Sequence, residues 1–197
     1  RDKKPQRTRR ARAMSWLLGG IVVFFGVHLI PARPPLRQKL VHAFGESPYK
    51  GAFAILSLLG LALMVKGIGA AERVVVWQPP AFADAVAAVA MAPALILLAA
   101  SLFDNHIRRV ARHPMSLAML LWAGSHLLAS SELAALILFA SFAAYALFDL
   151  RRRDRGERGT AKPVSFGRDA LAVIIGLVAY ALLVAFHARL FGVAIAL

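Results

Sequence analysis

The chain has 197 residues, 59% of them hydrophobic, with a mean hydropathy of +0.65 and a formal net charge of +14. A soluble domain of this length needs a far more polar exterior, so a water-soluble globule is excluded; because the charge lies in loops beside apolar blocks, so is a nucleic-acid partner. Cysteine is absent, which rules out disulfides, iron–sulfur clusters, covalently attached haem, a thiolate nucleophile and cysteine-based zinc sites.

Residues 1–13 form a basic tail with Arg1, Lys3, Lys4, Arg7, Arg9, Arg10 and Arg12. It reads as a disordered segment, or as an upstream extension of a chain whose native start is Met14. The first apolar run covers 14–30 and stops at Pro31, Pro34 and Pro35. It has no small-residue cleavage site before the next charges, so it is expected to stay as an anchor. Leu36, Leu40, Val41 and Phe44 then recur at helical spacing around Arg37 and Lys39, which predicts a short helix in the membrane interface. A second span is expected over 51–71, with Ser47 as N-cap and Pro48 at the first helical position. The third covers 83–103, follows Pro79 and Pro80, and holds Pro93, which predicts a kink. Pro114 opens the fourth, 114–129; the fifth covers 132–150 and the sixth 169–191. Most approach the ~20 residues that cross a bilayer core. The expectation is an all-α polytopic transmembrane helix bundle of about six spans, forming a single domain over 14–197.

Orientation follows from the basic residues. Arg33, Arg37, Lys39 and Lys50 lie in the first connection, Arg108, Arg109 and Arg112 in the third, and Arg151, Arg152, Arg153, Arg155, Arg158, Lys162 and Arg168 in the fifth. The even-numbered connections carry only Arg73. Positive-inside reasoning places the odd connections in the cytoplasm of a bacterial inner membrane and both termini outside. The basic tail conflicts with this placement, which is what favours a native start at Met14.

Chemistry falls to the histidines: His28, His42, His106, His113, His126 and His187. Asp84, Asp104, Glu132, Asp149 and Asp169 fall at span ends, where they are expected to reach water, so no buried carboxylate pair and no Ser-His-Asp arrangement is supported. Lys66, near the end of its span, is expected to snorkel. His28 and His126 differ from the rest because each lies inside an apolar span and must find a partner. His28 follows Phe24 and Phe25 at i−4 and i−3, and His126 follows Trp122 at i−4. An imidazole beside large aromatics suits an axial ligand of a porphyrin iron, and equally an interhelical hydrogen bond. Arg112 and His113, ahead of Pro114, suit a clamp on a carboxylate, a phosphate or a haem propionate; a plain basic loop before a helix start is the other reading. His113 and His126 lie ~20 Å apart along a regular helix and cannot share one metal. His42 and His106 read as interfacial and His187 as structural.

These stretches resemble the NnrU family of bacterial membrane proteins. The matching residues are Phe24-Phe25-Gly26-Val27-His28, Gly45-Glu46 with Tyr49-Lys50-Gly51, and Ser57-Leu58-Leu59-Gly60-Leu61, followed by Arg112-His113-Pro114 and Trp122-Ala123-Gly124-Ser125-His126-Leu127-Leu128. The resemblance implies an association with nitrite and nitric oxide reduction in denitrifying bacteria. It also implies similarity to the plant 15-cis-zeta-carotene isomerase, an integral membrane enzyme that uses haem b. Carried over, the isomerase's proposed histidine ligands fall on His28 and His126, and its nearby cysteine falls on Ala123, so a ligand switch through that thiol is absent. The partners implied are the lipid bilayer and a membrane redox partner or lipophilic substrate. In the simple topology His28 and His126 differ in depth by roughly 10–15 Å, so either the fourth helix is shifted or His113 replaces His126. Two other classes compete. The Arg-His-Pro motif is similar to that of the isoprenylcysteine carboxyl methyltransferases, but their paired glutamates are replaced here by Arg151-Arg152-Arg153-Asp154-Arg155. A haem-free assembly or scaffold protein is the third.

Overall fold

In the computed structural model of the chain, the described residues are 4–153 and 163–191. They form eight helices: α1 (Lys4–His28), α2 (Pro34–Phe44), α3 (Glu46–Ala70), α4 (Ala83–Ala100), α5 (His106–Ala111), α6 (Pro114–Ala129), α7 (Leu133–Arg153) and α8 (Phe166–Phe191). Each expected span coincides with a helix, and α2 is the short helix expected between the first two. The protein is thus an all-α membrane bundle, with about six spans by length and apolarity. α3, α4, α7 and α8 are long and apolar enough to cross a membrane, while α6 and the apolar part of α1 are shorter. Large side chains such as Val22, Ile55, Leu58, Val65, Val89 and Ile174 are turned outward; only an apolar solvent accommodates so many.

α1 starts at Lys4, so helical backbone extends from the apolar run into the basic segment. The Arg and Ala of that segment are strong helix formers. The Arg155, Arg158 and Lys162 part of the last basic connection lies outside the described residues. The start of α3 corrects one expectation: Gly45, not Ser47, is its N-cap, with φ at 86°. That left-handed conformation suits glycine, which has no Cβ to clash. Pro48 therefore sits inside the first turn, where its missing N–H would have been unpaired anyway.

The chain forms two compact units. The first comprises residues up to Val76 together with Glu132–Leu138; the second comprises Trp77–Ser131 and the chain from Phe139 onward. In the first, α1 packs along α3 at very short range. A methyl group on Gly67 would lie 2.5 Å from the Leu17 backbone nitrogen, one on Gly60 2.8 Å from that of Phe24, and one on Gly20 2.6 Å from that of Met64. Small residues that let backbones touch are the usual glue of membrane helices, where lipid is as apolar as any side chain and burial drives little. A bridge between Val75 and Glu132 and a bond from Leu133 N–H to the Val74 carbonyl, 2.9 Å, hold the start of α7 to this unit.

In the second unit α4 is central, packed on α6 and α8. Its buried residues are alanines (Ala83, Ala88, Ala94, Ala99 and Ala100), matched by Ala118 and Ala123 on α6. The helix runs through Pro93. α5, a six-residue helix the sequence did not announce, is fixed by Asn105. Asn105 is 0% exposed. Its amide donates to the Ala100 and Phe103 carbonyls, both at 2.9 Å, and its Oδ1 accepts the Arg108 N–H at 2.7 Å. One side chain therefore closes the end of α4 and caps α5.

Candidate functional site

His28 is the last residue of α1. Its Nδ1 lies 2.7 Å from the Phe24 carbonyl, one turn back. A carbonyl only accepts, so Nδ1 carries a proton and Nε2 is the ring nitrogen left to act as a ligand. Phe24 stacks on the imidazole, 4.2 Å between centroids and 24° between planes, and Phe53 of α3 leans on it at 5.0 Å. The i−4 spacing produces both features, because positions four apart on a helix lie over one another.

His126 repeats the arrangement in the second unit. Its Nδ1 lies 2.8 Å from the Trp122 carbonyl, again i−4, which fixes the same tautomer. Trp122 lies 5.8 Å from its ring and Phe139 of α7 4.8 Å. Trp122 is itself held by edge contacts to Phe139 and Phe142, at 5.2 and 5.0 Å. Binding Nδ1–H to a backbone carbonyl is how proteins orient an imidazole whose Nε2 serves as a metal ligand.

Arg112 and His113 stand at the entry to α6, with His113 as its N-cap and Pro114 at the first position. Arg112 has φ 58° and ψ −45°, and the His113 N–H reaches back to the Ala111 carbonyl at 2.6 Å. This is a γ-turn of the strained positive-φ kind, and Arg112 is the one non-glycine residue with positive φ among those described. Arginine has no intrinsic reason to adopt it, so the short α5-to-α6 connection imposes it. Arg112 is exposed and His113 half-buried, and no hydrogen bond or ion pair from either side chain is present among the described residues. α6 runs unbroken from Pro114 to Ala129, so His113 and His126 stay at opposite ends of it.

Two polar clusters were not legible in the sequence. His106 Nδ1 meets Asp169 Oδ2 of α8 at 2.6 Å, while Asp169 Oδ1 accepts the Ile107 N–H at 3.1 Å and Phe166 stacks on the imidazole at 4.7 Å. His106 is thus a carboxylate-held imidazole, not merely an interfacial one. Asp149 corrects a firmer expectation, that every carboxylate reaches water: it is 5% exposed. The Ser116 hydroxyl of α6 donates to its Oδ2 at 2.5 Å, and Arg152 approaches Oδ1 at 3.4 Å. Asp149 lies one turn short of the end of α7, where a charge is expected to be wet; a partner 33 residues away in the chain is invisible to local pattern.

Among the described residues no three of His, Asp and Glu are grouped as around a bare metal ion. Single imidazoles fit instead a porphyrin iron, whose equatorial ligands come from the macrocycle and which asks the protein only for axial nitrogens in an apolar, aromatic setting. Fold and site together define a class: multi-pass helical membrane proteins carrying carbonyl-oriented imidazoles inside apolar spans. Within it the chain belongs to the NnrU family, since the family model described as NnrU protein matches residues 16–195. Neither a curated protein nor a solved structure matches the chain.

Proposed function

We propose that this NnrU-family protein binds haem b, which His28 and His126 would hold through Nε2, and carries single electrons in a bacterial inner membrane. The observation that supports this reading is the repeated local design: each imidazole has its proton tied to the carbonyl four residues back and its face against aromatic rings. When bound, haem b supplies one-electron redox chemistry. The chain's own contribution is to fix the tautomer, to keep water from the ligand nitrogens, and to hold propionates at Arg112 and His113, whose side chains have no polar partner among the described residues and whose backbone is set by the γ-turn. Two imidazoles would hold the group, and Ala123, fully buried where the plant isomerase has its cysteine, offers no replacement ligand. Electron transfer therefore suits the site better than isomerisation of a polyene, and the family's association with nitrite and nitric oxide reduction supplies the setting.

Absorption spectra of the detergent-purified protein, oxidised and dithionite-reduced, test this. The expected result is sharp reduced α and β bands that are lost in both His28→Ala and His126→Ala and that keep their shape in His113→Ala. Loss in His113→Ala with retention in His126→Ala would move the second ligand to the entry of α6. Protein made with ample haem but lacking a Soret band would end the haem reading, and binding of S-adenosylmethionine would then be measured.

A further inference from the structure

The corner built by α1, α2 and α3 in the first unit holds features that haem ligation does not use. We propose that it binds one anionic glycerophospholipid, with the phosphate at Arg33 and Lys39 and an acyl chain in the apolar cavity beyond them. Two cavities border successive turns of α2. One, of about 410 Å³, is lined by Arg33, Pro35, Leu36 and Lys39. The other, of about 320 Å³, is lined mainly by apolar side chains, among them Val27 of α1 and Ile30 just after it, Leu40 and Phe44 of α2, and Phe53 and Leu56 of α3. Leu36, Leu40 and Phe44 are four apart and form one stripe, which begins in the lining of the first cavity and continues in that of the second.

Charge selects the occupant. This connection carries Arg33, Arg37, Lys39 and Lys50 against one acid, Glu46. Glu46 takes Lys50 at 2.9 Å and Arg37 at 3.9 Å. Arg37 also lies over the Tyr49 ring, 5.8 Å from its centroid. Arg33 and Lys39, the two cations of the first cavity, have no carboxylate partner among the described residues. Basic pockets between membrane helices are the usual seats of phosphate headgroups. The second feature that asks for a ligand is the Tyr49 hydroxyl: it is buried and has no hydrogen-bond partner among the described residues, although Tyr49 lines the apolar cavity. A buried hydroxyl left unpaired is costly, and an ester carbonyl at the junction of headgroup and chain is the acceptor a glycerophospholipid brings. A bare phosphate would leave the apolar cavity unfilled, and a neutral lipid would leave the cations unpaired. This site stands independently of whether haem is bound.

The test uses the full chain in detergent, titrated with phosphatidylglycerol or with phosphatidylcholine of the same acyl chains, bound lipid being counted by native mass spectrometry. The expected result is a preference for phosphatidylglycerol that falls roughly fivefold for each cation removed in Arg33→Gln and Lys39→Gln. It persists in Arg33→Lys with Lys39→Arg, and in Arg151→Gln of another basic connection. Tyr49→Phe is expected to weaken both lipids by a similar factor and leave the preference intact. Equal binding of the two lipids by the native chain, or an equal loss in Arg151→Gln, would overturn the site. Glycerol phosphate competing as well as the whole lipid would reduce it to a phosphate site, and displacement by a short-chain quinone would reassign the cavity to a neutral lipid. Size-exclusion profiles matching the native chain establish that the variants are folded.

Discussion

The two units place a histidine in nearly the same local frame, but they are held together by different means. Around His28 the order comes from backbones in contact: Gly20, Gly60 and Gly67 leave no room between α1 and α3. In the second unit one such contact recurs, at Gly176 of α8, where a methyl group would lie 2.6 Å from the Ile96 Cα of α4; otherwise the helices meet through alanine and are tied by buried polar bonds, from Asn105 and from Ser116 to Asp149. In a bilayer the hydrophobic effect does little to distinguish one helix pairing from another, so specificity must come from close van der Waals contact or from hydrogen bonds that lipid cannot replace. The first unit uses the former, and the second adds the latter to a single close contact at Gly176. It follows that the two should differ in their response to lost polarity, which should damage the second unit, while added volume at the close contacts is the way to break the first.

The largest effect is expected from Gly67→Leu or Gly60→Leu. The new Cβ would fall within 2.8 Å of backbone atoms of α1, and a backbone cannot turn aside as a flexible side chain does. A loss of more than about 3 kcal/mol is expected, seen as failure to recover monodisperse protein from detergent. The matched control lies on the same helix. Gly69 has nothing within 4 Å of a would-be Cβ, so Gly69→Ala should be neutral or stabilise by up to about 1 kcal/mol through helix propensity. Equal damage from both would mean that close approach is not what orders the first unit.

In the second unit Asp149→Ala is expected to cost about 3–5 kcal/mol, because it leaves the Ser116 hydroxyl buried and the Arg152 guanidinium without that carboxylate. Ser116→Ala removes the smaller partner and should cost about 1–3 kcal/mol. Asp149→Asn keeps shape and an acceptor oxygen and should fall between wild type and Asp149→Ala. Thermal denaturation followed by loss of the monomer peak measures all three. If Asp149→Ala is as stable as the native protein, polar bonds do not order this unit.

How much of this could be read in advance depends on the range of the cause. The spans were legible because membrane helices carry their signal locally, as long apolar runs between Pro and charge; α6 begins at Pro114 as expected. The local frames of His28 and His126 were legible for the same reason, since Phe24 and Trp122 lie one turn back. α5 escapes the sequence because six residues, His106–Ala111, are too few to show a helical period. Asn105 was missed because a cap and an anchor look alike in sequence until the Ala100 carbonyl is placed beside it. Asp149 and His106 were misjudged because their partners, Ser116 and Asp169, come from other helices. Gly60 was visible as part of a motif, whereas its contact with Phe24 depends on the α1–α3 pairing.

The smallest effect concerns the exposed edge of the second unit, where polarity should count least. Arg109 holds Asp104 through two bonds, Nε to Oδ1 at 3.2 Å and a terminal nitrogen to Oδ2 at 2.8 Å. The Asp104 carboxyl is held below its ordinary range first by this hydrogen bonding, with burial opposing it, and then by the positive charge of Arg109, Arg108 and Arg168. A carboxyl whose folded value is depressed stabilises the fold above its ordinary pKa, and that contribution is lost as pH falls through the depressed value. Water and salt screen a pair this exposed, so the effect should be slight and should shrink further at high ionic strength. Hydrogen exchange of the α5 amides, corrected for the intrinsic pH dependence of exchange, is expected to show protection falling in acid faster in the native chain than in Asp104→Asn. Taking the difference between the two chains matters, because Asp169 also touches α5 through His106 and the Ile107 N–H and contributes its own acid sensitivity to both. An acid response of the same size in Asp104→Asn would assign the whole of it to Asp169, and the second unit would then owe the placement of α5 to buried partners alone.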